Sequence, residues 1–292
     1  MNYETFVQEM ITCMKGQLSA EEQLEKHNVL KNNGVVFTGI SVRRPEECIA
    51  PIIYLDRYYE RYCSGENLED LSKEILVQQK YAPTPPDWNY RAILDFEEIK
   101  KYIIFRLIHR EKNVKLLKEV PYLPVFDLAI VFYIVIPNGG KDDCSILIRN
   151  SHMNLWKVPI SVLYEIARRN TPCYYPYVFR PLGDYIQNES CEDFFESPLW
   201  ILTNVTGIYG ASTILYPKMP KRLYEKLGRS YYLLPSSIHE FLVVHISLLH
   251  SKSQIQQVLR INGVANPNNI ADIISSSLVY LDIDIHSLWF LW

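Results

Sequence analysis

The sequence predicts an α+β fold: a helical N-terminal half carrying one β-hairpin, then a C-terminal half built on an antiparallel or mixed sheet. Three observations lead there. In VLKNNGVVFTGISV two β-branched runs flank Asn32-Asn33-Gly34, and Asn-Gly is the turn chemistry that lets a two-residue hairpin reach positive φ. The run Leu128 to Ile136, LAIVFYIVI, has no polar alternation, the pattern of a strand covered on both faces. In the last third, short strand-like runs outnumber the helices between them, whereas a parallel sheet needs a crossover for each strand pair.

Taken in order, Tyr3 to Leu18 spaces Phe6, Met10, Cys13 and Met14 at three- and four-residue intervals, an amphipathic helix whose apolar face needs a partner. Glu25 to Leu30 and Val35 to Val42 make the hairpin. Pro51 opens a helix containing Tyr54, Leu55, Tyr58 and Tyr62, Gly65 closes it, and Asn67 starts a second helix through Gln79. YAPTPPDW, with three prolines in four residues, is an extended linker, because each ring fixes φ and disfavours helix in the residue before it.

From Tyr90 to Glu119 the apolar positions Ile93, Phe96, Ile99, Ile103 and Leu107 recur at helical spacing, with Glu97, Glu98, Lys100 and Lys101 on the solvent side, which predicts the longest helix of the chain. Pro121 and Pro124 end it, and LAIVFYIVI follows as a central strand. Asn138-Gly139-Gly140 turns the chain, CSILIRNSHMNLW returns as a second hairpin strand, and Pro159 to Arg169 forms a short helix. TPCYYPYVFRPL is a proline- and tyrosine-rich linker into GDYIQNESCEDFFESP, where five acids and no lysine or arginine fall between Arg180 and Lys218. The remainder reads as strands at Leu199 to Asn204, Gly210 to Tyr216, Tyr231 to Leu234 and Glu240 to His245, with a helix at Pro220 to Leu227. Asn266-Pro267-Asn268-Asn269 is a turn, and the terminal SLWFLW is apolar enough to require docking on the body or on a partner. The organisation expected is residues 1–120, mainly helical with the β-hairpin, and 121–292, the α+β sheet region, with one shared core as the alternative to two separate ones.

Composition narrows the function classes. The 292 residues are 48% hydrophobic and 22% charged, an ordinary globular balance that argues against a disordered, collagen-like or coiled-coil chain. With 30 basic and 33 acidic side chains and a formal charge of -3, no global positive field exists to hold nucleic acid or anionic lipid. Six scattered cysteines contain no C-x-x-C pair, so neither a zinc ribbon nor a thioredoxin-like motif can be drawn and reduced thiols are expected. The first residues lack a positive start and an apolar stretch, and LAIVFYIVI is about half the roughly 20 residues a membrane helix needs. A cytoplasmic location is expected, without membrane or nucleic-acid partners.

Candidate chemistry is sparse. There is no G-x-x-x-x-G-K-[ST] and no G-x-G-x-x-G, so no phosphate-cradling loop and no cofactor is expected. The strongest constellation is LPSSIHE, with Ser236, Ser237, His239 and Glu240, a set that suggests a histidine taking a hydroxyl proton while a carboxylate orients the ring. On a strand, however, Ser237 and His239 share a face while Glu240 points away, and no G-x-S-x-G elbow exposes a nucleophile. The structural alternative, a turn whose hydroxyls satisfy backbone donors with His239 hydrogen-bonded at a strand edge, is preferred. His239 and His245 are six apart, not the four that H-E-x-x-H needs, so no metal site is expected from them. His152, in RNSHMNLW, could meet His239 in space. The chain has 21 tyrosines, with clusters at Tyr54, Tyr58, Tyr59 and Tyr62 and at Tyr174, Tyr175 and Tyr177. Few basic residues accompany them, which favours a protein-binding surface over base stacking.

KNNGVVFTGISV, VPYLPVFDLAIVFYIVI, ILIRNSHMNLWKV, LYEIARRNTP, LWILTNVTGIYGASTILYP and LGRSYYLLPSSIHE together resemble an uncharacterised domain-of-unknown-function family of Firmicute proteins, common in clostridial gut bacteria. The resemblance covers about residues 1 to 280, with NSHMNLW and LPSSIHE its most specific blocks. It implies no activity, cofactor or catalytic residue; its members resemble cargo of integrative mobile elements, and SLWFLW departs from the family's usual polar tail. The function expected is therefore a non-enzymatic cytoplasmic protein-interaction module, a regulator or inhibitor carried by a mobile element, binding through Tyr174, Tyr175, Tyr177, Glu192 and Asp193. The alternative is a hydrolase or transferase using Ser237 and His239 near His152 and Asn150, with Asn204 as polar lining.

Overall fold

Asn2 starts the first helix: its side chain accepts the Thr5 N–H at 2.9 Å, and α1 runs over Tyr3–Lys15. The computed structural model describes residues 1–45, 50–81, 89–136, 144–183, 199–228, 231–245, 278–282 and 287–291. It groups the chain into two units, Met1–Lys31 with Val35–Trp88, and Asn32–Gly34 with Asn89–Trp292. Residue 120, where the sequence reading divides the chain, lies within the second. Each unit combines helices with antiparallel strands, the α+β class expected.

In the first unit α1 is followed by β1 (Gln23–Leu30), β2 (Val36–Arg43), β3 (Ile53–Tyr54), α2 (Asp56–Cys63) and α3 (Leu68–Tyr81). The strands form a sheet in the order β1-β2-β3. The hairpin is as predicted, but its connection is longer than two residues: Leu30 pairs with Val36 and the Lys31 N–H donates to the Val35 carbonyl at 2.7 Å. Asn33 and Gly34 carry the positive φ, 59° and 74°. Phe6, Met10 and Met14 of α1 enter one apolar cluster with Ile40, Leu55, Leu71 and Ile75, so the amphipathic face finds its partner. Gln79, 6% exposed, ties α3 to β2: its amide donates to the Ile40 and Pro51 carbonyls at 3.1 and 3.0 Å and accepts from the Val42 N–H at 3.4 Å.

The second unit opens differently from the sequence expectation. In place of one long helix from Tyr90 to Glu119 there is a 3-10 turn (Tyr90–Leu94), a short α4 (Phe96–Ile99), a 3-10 turn (Lys100–Tyr102), the strand β4 (Ile103–His109), a 3-10 turn (Glu111–Asn113) and a short α5 (Val114–Leu117). All seven residues of β4 are buried. A strand covered on both faces has no alternation to betray it, and the helical spacing of Ile99, Ile103 and Leu107 was coincidental within an apolar run. β5 (Tyr122–Val125), β6 (Leu128–Ile136) and β7 (Cys144–Leu147) complete this sheet. LAIVFYIVI is the central strand expected: β4 pairs along one side of β6, and β5 and β7 pair with successive parts of it.

NSHMNLW is not the continuation of a strand. It is α6 (Asn150–Trp156), closed by Lys157 at φ 54° and followed by α7 (Ile160–Tyr174), which outruns the predicted end at Arg169. Asn150 donates to the Lys118 carbonyl and the Trp156 indole to the Ile93 carbonyl, contacts that a strand periodicity cannot express. α7 seals the edge of β4 with side chains: Thr171 Oγ1 accepts the Phe105 N–H at 3.1 Å and the Asn170 amide donates to the Ile103 carbonyl at 3.0 Å. Ser212 Oγ accepts the next outward donor, Leu107 N–H, at 3.2 Å. Edge donors that would otherwise recruit another strand are thereby satisfied.

β8 (Tyr177–Pro181) lies in what the sequence suggested was a linker, and β9 (Leu199–Asn204) follows. Gly210–Leu215 is a 3-10 turn and not the strand predicted: Tyr209 enters it at positive φ, and local bonds from the Thr213 hydroxyl to the Gly210 carbonyl and from the Tyr216 N–H to the Thr213 carbonyl hold it. After it come α8 (Met219–Leu227), β10 (Tyr231–Ser237), β11 (Glu240–His245), β12 (Leu278–Asp282) and β13 (Ser287–Leu291). They form an antiparallel sheet in the order β13-β12-β10-β11-β9-β8, so the apolar C-terminal residues pair along β12. The predicted turns at Asn138–Gly140 and Asn266–Asn269 and the acidic stretch 184–196 lie outside the described residues.

Candidate functional site

The second unit brings the conspicuous polar side chains together around Tyr209. Asn204 ends β9 and shapes the segment after it: its amide donates to the Ile208 carbonyl at 2.8 Å and its Oδ1 accepts from the Thr206 N–H and hydroxyl at 3.0 and 2.9 Å. The chain then turns through Tyr209 at φ 55°, a left-handed conformation unusual for a bulky residue. Nδ1 of His239 accepts the Tyr209 N–H at 3.1 Å, and the two rings lie 5.7 Å apart. Thr203 Oγ1 donates to the His239 carbonyl at 2.8 Å, and the Ala211 N–H donates to the Ile238 carbonyl at 3.2 Å. The turn joining β10 and β11 is thus fastened to the strand β9 and to the 3-10 segment.

Ser237, His239 and Glu240 occupy that turn. Ser237 Oγ donates to Glu240 Oε1 at 3.0 Å and accepts the His239 N–H at 3.0 Å. The register shifts between Pro235 and Ser237, so Ser237 and Glu240 face each other across the turn. Both hydrogen bonds have the wrong sense for nucleophilic catalysis. The hydroxyl proton goes to the carboxylate and not to the imidazole, and because Nδ1 is an acceptor a neutral His239 carries its proton on Nε2, the reverse of the tautomer in a serine–histidine relay. The geometry is that of a side-chain-supported turn.

His152 stands elsewhere. Its Nδ1 accepts the Arg149 N–H at 3.0 Å at the start of α6, and its ring stacks on Trp156 at 5.4 Å. Burial, helped by the Arg149 charge, holds the imidazole below its ordinary pKa. No hydrogen bond or ring contact among the described residues joins His152 to Ser237 or His239. Asn150 is engaged with the Lys118 carbonyl. No group of three or more His, Cys, Asp or Glu among the described residues is placed to hold a metal ion, and no helix among them is long and apolar enough to cross a membrane.

The tyrosines proposed for partner binding differ among themselves. The Tyr174 hydroxyl donates to the Lys101 carbonyl at 3.3 Å, and the Tyr175 carbonyl accepts from the Tyr216 hydroxyl at 2.8 Å, so both half-buried residues are built into the fold. Tyr177 is 38% exposed, with the Arg222 guanidinium 5.4 Å from its ring. Glu192 and Asp193 lie outside the described residues.

Arg106 was not anticipated. It is the one ionised side chain of the run IIFRLIH, 7% exposed, on the face of β4 next to β6. Its Cζ lies 4.2 Å from the Tyr133 ring and 3.9 Å from the Tyr209 ring, and Nη1 donates to Ser145 Oγ at 3.1 Å. Burial pushes the Tyr133 phenol above its ordinary pKa, against the pull of the Arg106 charge. Taking an ion out of water costs several kcal/mol. Each aromatic contact offsets about 0.5–2 kcal/mol, and the charge-assisted hydrogen bond to Ser145 about 1.5–3 kcal/mol. No carboxylate pairs with Arg106 among the described residues, so its charge is offset by two rings and neutral hydroxyl acceptors rather than by an anion. A charge inside an otherwise apolar strand is the signal that would have singled it out, had the segment been read as a strand.

A family model described as a family of unknown function, DUF5688, matches residues 3–278. The chain belongs to this family. No curated protein matches it, and no solved structure does. The fold and site of this DUF5688 protein therefore rest on its own residues, with Tyr209 held by His239 on one side and set against Arg106 on the other.

Proposed function

We propose that this DUF5688 protein is a non-enzymatic protein-interaction module. The observation that carries the reading is the pair Tyr177 and Arg222: an exposed ring with a guanidinium 5.4 Å from it, the two residue types that most often anchor protein interfaces. The turn use of Ser237 and His239 supports the same reading, since the Ser237 hydroxyl donates to Glu240 and accepts the His239 N–H within the turn and makes no bond to the imidazole. The acids Glu192 and Asp193, outside the described residues, belong to the proposal by their charge alone. The proposal also includes the bacterial, clostridial setting, the cytoplasmic location and the mobile-element cargo role that the sequence resemblance implies, in which the module regulates or inhibits its partner.

The test is affinity capture from the producing cell's extract with the wild-type chain and with Tyr177→Ala and Arg222→Ala. A stoichiometric partner retained by the wild type and lost by both variants is expected. Equal capture by all three would remove this surface from consideration, and hydrolysis of generic ester substrates abolished by Ser237→Ala would overturn the non-enzymatic reading.

A further inference from the structure

We propose that Arg106, with Ser145, Tyr133 and Tyr209, forms a binding site for the oxyanion group, carboxylate or phosphate, of a small ligand. Four observations converge on it. Arg106 is 7% exposed, and its contacts among the described residues are to rings and hydroxyls and not to a carboxylate, although buried arginines are normally paired. The Tyr133 and Tyr209 rings flank the guanidinium at 4.2 and 3.9 Å, leaving its N–H edge as the direction for polar contacts. That edge has five donors in a fork matched to two oxygens of one anion; it donates to Ser145 Oγ at 3.1 Å and hydrogen-bonds the Tyr133 side chain, which leaves further donors in the fork. Ser145 in turn can donate its hydroxyl proton to the same anion.

The fourth observation is the construction of the wall. Tyr209 is half-buried, so it borders solvent while its ring contacts the cation. It is held in the left-handed region by the His239 acceptor at 3.1 Å, and Val205 and Ile208 in the preceding segment are exposed. A bulky residue kept in a strained conformation against a buried charge is the kind of feature that persists where a ligand is received. His239 acts here as a positioning residue through Tyr209. This site is separate in its residues from the Tyr177–Arg222 surface and does not depend on the function proposed for it.

The test is titration of the purified full chain with sodium phosphate and, separately, sodium acetate, at constant ionic strength with chloride as the reference, read by tyrosine fluorescence and by the thermal unfolding midpoint. A saturable response to at least one oxyanion, absent with chloride, is expected; phosphate alone points to a phosphorylated ligand and acetate alone to a carboxylic acid. Arg106→Met should abolish that response while raising the unfolding midpoint without anion, because it removes a buried charge that no carboxylate among the described residues neutralises. Arg106→Lys, which keeps the charge and loses the fork, should weaken binding about tenfold or more, and serves with Ser145→Ala if the methionine variant does not fold. No saturable response in the wild type, a response equal to that of chloride, or one unchanged in the Arg106 variants would overturn the proposal.

Discussion

The backbone N–H of Tyr209 donates to Nδ1 of His239 across 30 residues of sequence, at 3.1 Å. That bond makes the histidine a fastening between the turn of β10–β11 and the segment that follows β9. Replacing His239 by alanine leaves a partly buried N–H without its acceptor, at a cost of about 1–3 kcal/mol. Urea unfolding of His239→Ala should show the lower midpoint with an unchanged slope, and Arg106-dependent oxyanion binding should weaken in parallel. A variant as stable as the wild type would mean that water replaces the ring without loss.

Gly210 has no room for a side chain. A Cβ there would lie 2.2 Å from Thr203 Oγ1, 2.4 Å from the His239 carbonyl oxygen and 2.7 Å from the Asn204 nitrogen, and two of these are backbone. Gly210→Ala should therefore destabilise by about 1–3 kcal/mol or more, as overpacking does, read as a fall in the thermal midpoint. An unaffected midpoint would show that the β10–β11 turn is not seated as described.

Gln79 serves three backbone groups from the interior of the first unit. Gln79→Leu fills a similar volume but strands the Ile40 and Pro51 carbonyls and the Val42 N–H, at about 1–3 kcal/mol for each group that stays dry. A loss of about 2 kcal/mol or more in denaturant unfolding is expected, larger than for Gln78→Leu on the exposed side of the same helix.

His109 gives the fold an acid sensitivity. It is buried on β4, accepts the Lys112 N–H on Nδ1 at 3.3 Å, and is held below its ordinary pKa by burial first and by the Lys112 charge next. The unfolded chain then binds the proton more readily than the folded one. The stability due to neutral His109 is present above about pH 6.5, the ordinary histidine value, and is lost as the pH falls through the lower folded value. Unfolding midpoints at pH 7.5 and 5.5 should differ less in His109→Gln than in the wild type; an equal difference would assign the acid sensitivity to other groups.

Local chemistry was legible wherever a short segment settles its own conformation. Asn33-Gly34 could be read as a turn because few other dipeptides take up consecutive positive φ. β9 and β11 matched their predicted bounds, Leu199–Asn204 and Glu240–His245, because polar residues punctuate short apolar runs there. Ser237 accepting the His239 N–H is likewise a two-residue relationship, available from sequence. β4 was misread because a strand buried on both faces and a buried helix are equally apolar. NSHMNLW was misread because the bonds that favour its helix, from Asn150 to Lys118 and from Trp156 to Ile93, reach 32 and 63 residues away.

By itself, then, the sequence determined an α+β chain with its hairpin and its central strand LAIVFYIVI, and a hydroxyl-supported turn before the strand FLVVH that it set at Pro235–Ser237, where the structure ends β10 and turns at Ile238–His239 instead. Tertiary structure alone decided that His239 would fasten Tyr209, that Thr171 and Ser212 would seal the edge of β4, and that Arg106 would lie between two tyrosines from β6 and from the segment after β9. The physical reason is range. A turn is selected by the torsions of two or three residues, whereas the fate of a buried charge depends on which distant rings, hydroxyls and carboxylates the packed chain carries to it.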